Sequence, residues 1–241
     1  MTSYIFVLLV GLVAGVVSGV IGTGSSIMLL PILVYTFGPK QAVPIMAVAA
    51  VMANLARVLA WWRLVDWRAF AAYSVTGIPA AALGARTLLA LPSDLINGFL
   101  GLFFITMIPV RHWLAKRNFR LRLWQLAIAG AGIGFLTGVV LSTGPLSVPA
   151  FTAHGLTKGA FISTEAASSL FLYISKLVTF GEFGALPPDI FFKGLLVGAS
   201  LMAGTFAGKI VMLKLSERGF QHLLDALLFC SGLSLIWAAV H

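Results

Sequence analysis

Along this chain one apolar stretch follows another, and charges within them are sparse. The stretches run over about 4–21, 26–37, 42–62, 67–91 and 94–111, then 122–141, 145–153, 159–180, 189–213 and 219–240. Most reach the roughly 20 residues needed to cross a hydrocarbon core about 30 Å thick. Only 10% of the 241 residues are charged, against about 25% in a soluble domain, so the chain cannot cover an ordinary water-facing surface. It reads as an all-α polytopic membrane protein with no segment left over for a soluble domain.

The N-terminal MTSYIFVLLVGLVAG carries neither Lys nor Arg, so it is expected to stay as a membrane helix and not to be a cleaved signal. The net charge of +9 does not indicate nucleic acid, because the cations gather between apolar runs, where they record orientation. The single cysteine, Cys230, sits in an apolar run and reads as a small core residue. His112, His154 and His241 have no partner at metal-ligand spacing, so neither a metal nor another cofactor is expected.

The chain also reads as one motif written twice. Glycines 11, 15 and 19 recur as glycines 130, 134 and 138, a constant offset of 119 residues. Each set precedes a polar break, GTGSS at 22–26 and STGP at 142–145, then a short apolar run, then a small polar turn, FGPKQ at 37–41 and HGLTK at 154–158. A lone GxxxG is common wherever membrane helices pack closely; three aligned glycines with the same downstream order indicate duplication. The expected organisation is membrane repeat 1 over 1–110, a basic linker over 111–122 and membrane repeat 2 over 123–241. The second apolar piece of each half, at about 9–12 residues, reaches only about 14–18 Å as a helix. It is expected to form a broken or re-entrant hairpin with the piece before it, leaving three full crossings per half.

Charge tests this topology. Arg111, Lys116, Arg117, Arg120 and Arg122 mark the linker as cytoplasmic, and Arg63 with Arg68, then Lys209, Lys214 and Arg218, mark two more inside loops. GEFGALPPD at 181–189 and LPSD at 91–94 carry acids without bases and read as outside. With three crossings per half, the second half enters upside down, Lys40 is left as a mild exception, and both termini fall outside. Two inverted-topology repeats are the expected architecture.

GTGSS is not a Walker A loop, since no lysine follows its second glycine. Non-helical backbone within a membrane is tolerated only inside protein or along a watery cavity. Paired breaks in inverted halves therefore point to a binding site between the repeats. Free N–H groups at helix starts favour an anion. Thr23, Gly24, Ser25, Ser26, Ser142, Thr143 and Gly144 are the candidates there; the competing reading is that both breaks are kinks at tight helix crossings.

Intramembrane charges are costly and usually functional. Arg57 and Lys176 stand 119 residues apart in the third piece of each half, and are expected to guide an anion from opposite ends of a pathway; snorkelling to headgroups is the alternative. Glu165, Ser169, Leu172 and Lys176 share one helical stripe, broadened by Thr164, Ser168 and Ser175, and Asn54 lies one turn before Arg57. Glu165 is the candidate for carrying a coupling proton, or else a strut paired with a neighbouring cation. Asp225, near His222, reads as an anchor of its helix end.

The repeated glycine helix and the break followed by an apolar run and proline, GTGSSIMLLP and STGPLSVP, resemble the TauE/SafE family of sulfite exporters, also called the toluene sulfonate uptake permease family. The resemblance implies a prokaryotic plasma (inner) membrane carrier of small anionic sulfur compounds: sulfite, thiosulfate, sulfoacetate or related organosulfonates. It implies export for most members and uptake for some. Ser25 and Ser26 stand where the family usually has glycines, and Ser142-Thr143 occupies the paired break.

The expected function is secondary transport of such an anion by alternating access, with the lipid bilayer and the anion as partners and protons as the candidate coupling ion. A passive anion channel and an uptake carrier for an organic anion are the alternatives. An enzyme is not expected, because no paired carboxylates, HExxH or Ser/His arrangement sits at a workable spacing.

Overall fold

The computed structural model of the chain describes residues 2–21, 25–116, 120–140, 143–156 and 158–211, with Asp225, Ala226, Phe229, Cys230, Leu233, Ile236 and Trp237 beyond them. Every regular element among the described residues is helical: α1 (Thr2–Ile21), α2 (Ser25–Phe37), α3 (Pro39–Trp61), α4 (Trp67–Ala90), α5 (Ser93–Lys116), α6 (Leu123–Val140), α7 (Gly144–Ala153), α8 (Lys158–Glu182) and α9 (Pro188–Val211). The helices follow the apolar stretches. Their starts repeat as well: Ser25 and Gly144 open α2 and α7, and Pro39 and Lys158 open α3 and α8, each pair 119 residues apart.

Local chemistry explains why α2 and α7 stay short. Each ends at a glycine in the left-handed region, Gly38 at φ 76° and Gly155 at φ 102°, where a side chain would be strained. The Gly38 N–H closes α2 onto the Val34 carbonyl at 2.8 Å, and Pro39 then starts α3 with its φ already helical. Asp66 caps α4, its Oδ1 accepting from the backbone N–H groups of Arg68 and Ala69, both at 3.0 Å.

Close backbone contact decides which helices pair. Gly11 and Gly15 face Ser200, Leu201 and Gly204, while Gly77 faces Gly130 and Gly134, and Gly84 faces Phe135 and Gly138. The sequence numbers rise together in both pairs, so α1 runs parallel to α9 and α4 runs parallel to α6. Gly194 against Val48 and Gly198 against Met52 place α3 parallel to α9. Leu172 on Gly77 and Ser175 on the Ile78 carbonyl place α8 parallel to α4. The fold therefore holds one bundle of α1, α9 and α3 and another of α6, α4 and α8.

The bundles meet where α3 and α8 cross in opposite directions. Trp61 and Leu64, at and just past the end of α3, contact Gly159 at the start of α8. Residues 42–50 of α3 and 161–168 of α8 are buried without a break, as befits helices covered on every side. The outer helices show the opposite: Tyr35, Val75, Ile128 and Leu196 are exposed, an apolar surface that suits lipid and not water. Among the described residues, three helical stretches, Lys40–Leu64, Leu123–Val140 and Pro188–Ala207, are long and apolar enough to cross a membrane by length and composition alone.

One expectation fails. Cys230 is exposed and is not a core residue; in a membrane chain an apolar run does not separate outward-facing positions from packed ones.

Substitution at the glycine seams should follow the space available. A Cβ on Gly138 would press on the Ala81 carbonyl and the Gly84 backbone, whereas one on Gly132 meets nothing within 4 Å. Overpacking typically costs about 1–3 kcal/mol. Gly138→Leu should therefore lower the yield and melting temperature of detergent-purified protein, while Gly132→Leu leaves both close to wild type; fluorescence-detected size exclusion with a thermal ramp reads this.

Candidate functional site

Polar side chains buried between the two bundles form one connected cluster. Arg57, on the last third of α3, donates from Nη1 to Glu165 Oε2 on α8 at 3.3 Å, and from Nη2 to Asn54 Oδ1 one turn earlier. Asn54 is itself held by donating to the Ala50 carbonyl at 2.8 Å. The other Glu165 oxygen, Oε1, accepts from Ser169 Oγ at 2.8 Å and from Ser147 Oγ on α7 at 3.0 Å. Three helices thus converge on one guanidinium and one carboxylate, both almost fully buried. Two buried atoms on these helices have no hydrogen-bond partner, Arg57 Nε and Ser168 Oγ.

Both short helices reach this region. Thr143 opens α7, and its carbonyl accepts from the Leu146 and Ser147 N–H groups at 2.8 and 2.9 Å. Its hydroxyl meets Thr137 Oγ1 at the end of α6. This geometry sets Ser147 one turn into α7 facing Glu165. At the start of α2, Ser25 and Ser26 are buried, and Ser26 shares a side-chain hydrogen bond with Tyr173 of α8, whose ring lies in electrostatic reach of Arg57 and Glu165. Gly144 is the first residue of α7. Thr23, Gly24 and Ser142 lie outside the described residues.

Lys176 stands apart. It is eleven residues beyond Glu165 on α8, about 16 Å along the axis. Its Nζ donates to the carbonyls of Thr137, at 3.1 Å, and Gly138, and lies 5.4 Å from the centre of the Phe180 ring. The side chain is completely buried, so it does not snorkel. The ammonium sits on the carbonyls of the last turn of α6, where the helix dipole favours a cation.

Not all of the α8 stripe is free for a ligand. Thr164 Oγ1 accepts from the Asp66 N–H at 2.8 Å and Ser175 donates to the Ile78 carbonyl at 2.9 Å, so both tie α8 to the α4 segment. Asp225 meets His112 Nε2 at 3.3 Å. Sequence reasoning found Arg57, Glu165, Asn54 and Ser169 but missed Ser147 and Tyr173. Ser147 is one small residue in an apolar decapeptide; its only signal was its position one turn after the break.

Removing one member of a buried ion pair leaves the other uncompensated, which costs about 3–5 kcal/mol. Glu165→Ala should therefore depress the melting temperature strongly, and Arg57→Ala/Glu165→Ala should lower it by much less than the sum of the two single alanine variants. A double-mutant cycle of thermal melts in detergent measures the coupling.

The comparisons with known proteins agree with this helical, membrane-suited chain. A profile of the sulfite exporter TauE/SafE family matches residues 7–235. The chain is similar to the probable membrane transporter protein YjnA of Bacillus subtilis (strain 168), with 22% identity over 254 residues, covering 95% of this chain and 98% of that protein. No solved structure matches the chain. With a match that spans nearly its whole length, the chain belongs to the sulfite exporter TauE/SafE family of membrane transporters.

Proposed function

We propose that the chain is a secondary transporter that exports a small sulfur-containing anion (sulfite, thiosulfate or an organosulfonate such as sulfoacetate) across the prokaryotic inner membrane by alternating access. The carrying observation is the buried Arg57 guanidinium, held between α3 and α8 with one N–H unpaired. A guanidinium presents several donors in a planar fork that suits an oxyanion. Ser147, Ser169, Asn54 and Ser26 surround or adjoin it with further polar groups, and Ser25, buried at the start of α2, is assigned to the same site. Thr143 and Gly144, with Thr23, Gly24 and Ser142, complete the anion site from the two breaks.

Glu165 balances the Arg57 charge. An entering anion competes with that carboxylate for the guanidinium, and protonation of Glu165 frees the Nη1 donor for it. Glu165 is thereby the proton-coupling residue of this reading, and Lys176 is a second cation farther along the path. The 119-residue offset and the opposite directions of α3 and α8 support two inverted repeats, with both termini on the outer face.

Purified protein in proteoliposomes should show saturable flux of radiolabelled sulfite that is accelerated by unlabelled sulfite on the opposite side. Hydrogen bonds to charged groups are worth about 1.5–3 kcal/mol. Asn54→Ala and Ser147→Ala should thus raise the half-saturating concentration about tenfold or more without unfolding the protein. An imposed pH gradient should change the wild-type rate and leave that of Glu165→Gln unaffected. Unitary currents in planar bilayers would replace the carrier by a channel, and wild-type flux in both alanine variants would reject the assigned site.

A further inference from the structure

A cavity of about 330 Å³ opens at the end of the molecule away from Arg57, between the start of α3, the ends of α4 and α8, and the segment leading into α9. Its walls include Leu88, Leu89 and Ile190, with Lys40 and Gln41 as polar members, and Phe180 also lines it. Lys40 is exposed and makes no ion pair among the described residues. Gln41 Oε1 accepts from Lys193 Nζ at 3.3 Å, which leaves its amide N–H groups as further donors. Lys193 also lies 3.4 Å from Asp189, so its charge is already balanced whereas that of Lys40 is not.

Phe180 has two neighbourhoods. It lines the cavity, and its ring also carries the Lys176 ammonium at 5.4 Å. Both side chains have no exposed area. Phe180 is thus common to the cavity lining and to the surroundings of Lys176, one turn earlier on α8.

We propose that this cavity is a second anion-binding site, an entry or exit subsite for a small organic sulfonate, in which Lys40 and Gln41 hold the anionic group against apolar walls and Phe180 is the barrier to Lys176. The walls decide the ligand class. A bare, strongly hydrated oxyanion gains nothing from leucine and isoleucine, whereas a sulfonate bearing a hydrocarbon group buries that group there while its oxygens meet the ammonium. The inference rests on the transporter reading for its place on a pathway; occupancy of the cavity can be measured without transport.

The test is cysteine accessibility in a Cys230→Ser background, read with the anionic reagent sulfonatoethyl methanethiosulfonate. Leu89→Cys should label, benzenesulfonate at millimolar concentration should slow that labelling at least fivefold, the unreactive bare oxyanion sulfate should slow it less, and Lys40→Gln should abolish the protection. Lys176→Cys should label at least tenfold faster once Phe180→Ala is added. If Lys176→Cys does not fold, Ser169→Cys, two turns deeper on the same helix, serves in its place. Labelling of Leu89→Cys that ignores benzenesulfonate would overturn the subsite. Protection by dodecyl sulfate alone would overturn it too, by marking a lipid-tail site. Equal labelling of the deep cysteine with and without the Phe180 ring would overturn the barrier. Protection that persists in a preparation without sulfite flux would support the subsite while removing the transporter reading.

Discussion

The ion pair between Arg57 and Glu165 sits where the two most deeply buried helices cross. Withdrawing a guanidinium and a carboxylate from water costs several kcal/mol per ion, and their attraction offsets this only when the remaining donors and acceptors are met. Here they nearly are: Asn54, Ser147 and Ser169 take up the other positions, and each comes from a helix that must be in place for the bond to form. The unbroken burial of 42–50 and 161–168 supplies the dry surroundings that make the pair strong. The pair is consequently a joint, stable when made and costly when only one partner is left.

The joint lies between groups of helices that do not coincide with the halves of the sequence. Glycine contacts weld α1 to α9 and α4 to α6, and each weld joins one helix from the first half to one from the second. α3 travels with the first pair and α8 with the second. Backbones in van der Waals contact slide only at the cost of clashes, which holds α1 against α9 and α4 against α6. In the proposed transport cycle the yielding surface is the α3–α8 crossing, where the contacts that hold the groups together include Arg57 and Glu165. A ligand that competes for Arg57 there alters the surface that has to move, which is how binding energy can be linked to a change of access.

Much of this was legible beforehand, for a definite reason. Helix positions follow from apolar runs, and the starts of α2, α3, α7 and α8 repeat because the glycine-and-break pattern repeats. The glycines of the GxxxG runs were legible as contact surfaces, although not which helix each would meet. Arg57, Asn54, Glu165 and Ser169 stood out because polar residues inside apolar stretches are rare. The cation that pairs with Glu165 was not identifiable, because Arg57 lies 108 residues away on another helix. The partners of Lys176 are backbone carbonyls, which every residue possesses and no sequence pattern marks. Cys230 failed for the converse reason, since its apolar neighbours say nothing about which side of the helix faces protein.

The 119-residue offset between the two halves of the sequence does not carry the site with it. Arg57 corresponds to Lys176 at the 119-residue offset, yet the position matching Glu165 in the first half is Met46, and those matching Ser147 and Ser169 are Met28 and Ala50. The second half of the sequence thus supplies the carboxylate and hydroxyls, and the first half supplies the guanidinium together with Asn54. Lys176, with Met46 in place of an acid, turns to the end of α6. Ser18 and Gly19 of α1 match the Thr137 and Gly138 that hold Lys176, but Arg57 is drawn to Glu165 instead, and Ser18 Oγ is left buried without a partner. At matching positions the two basic side chains therefore have different surroundings: Arg57 faces Glu165 at the central joint, and Lys176 lies on the end of α6 beside the Phe180 ring.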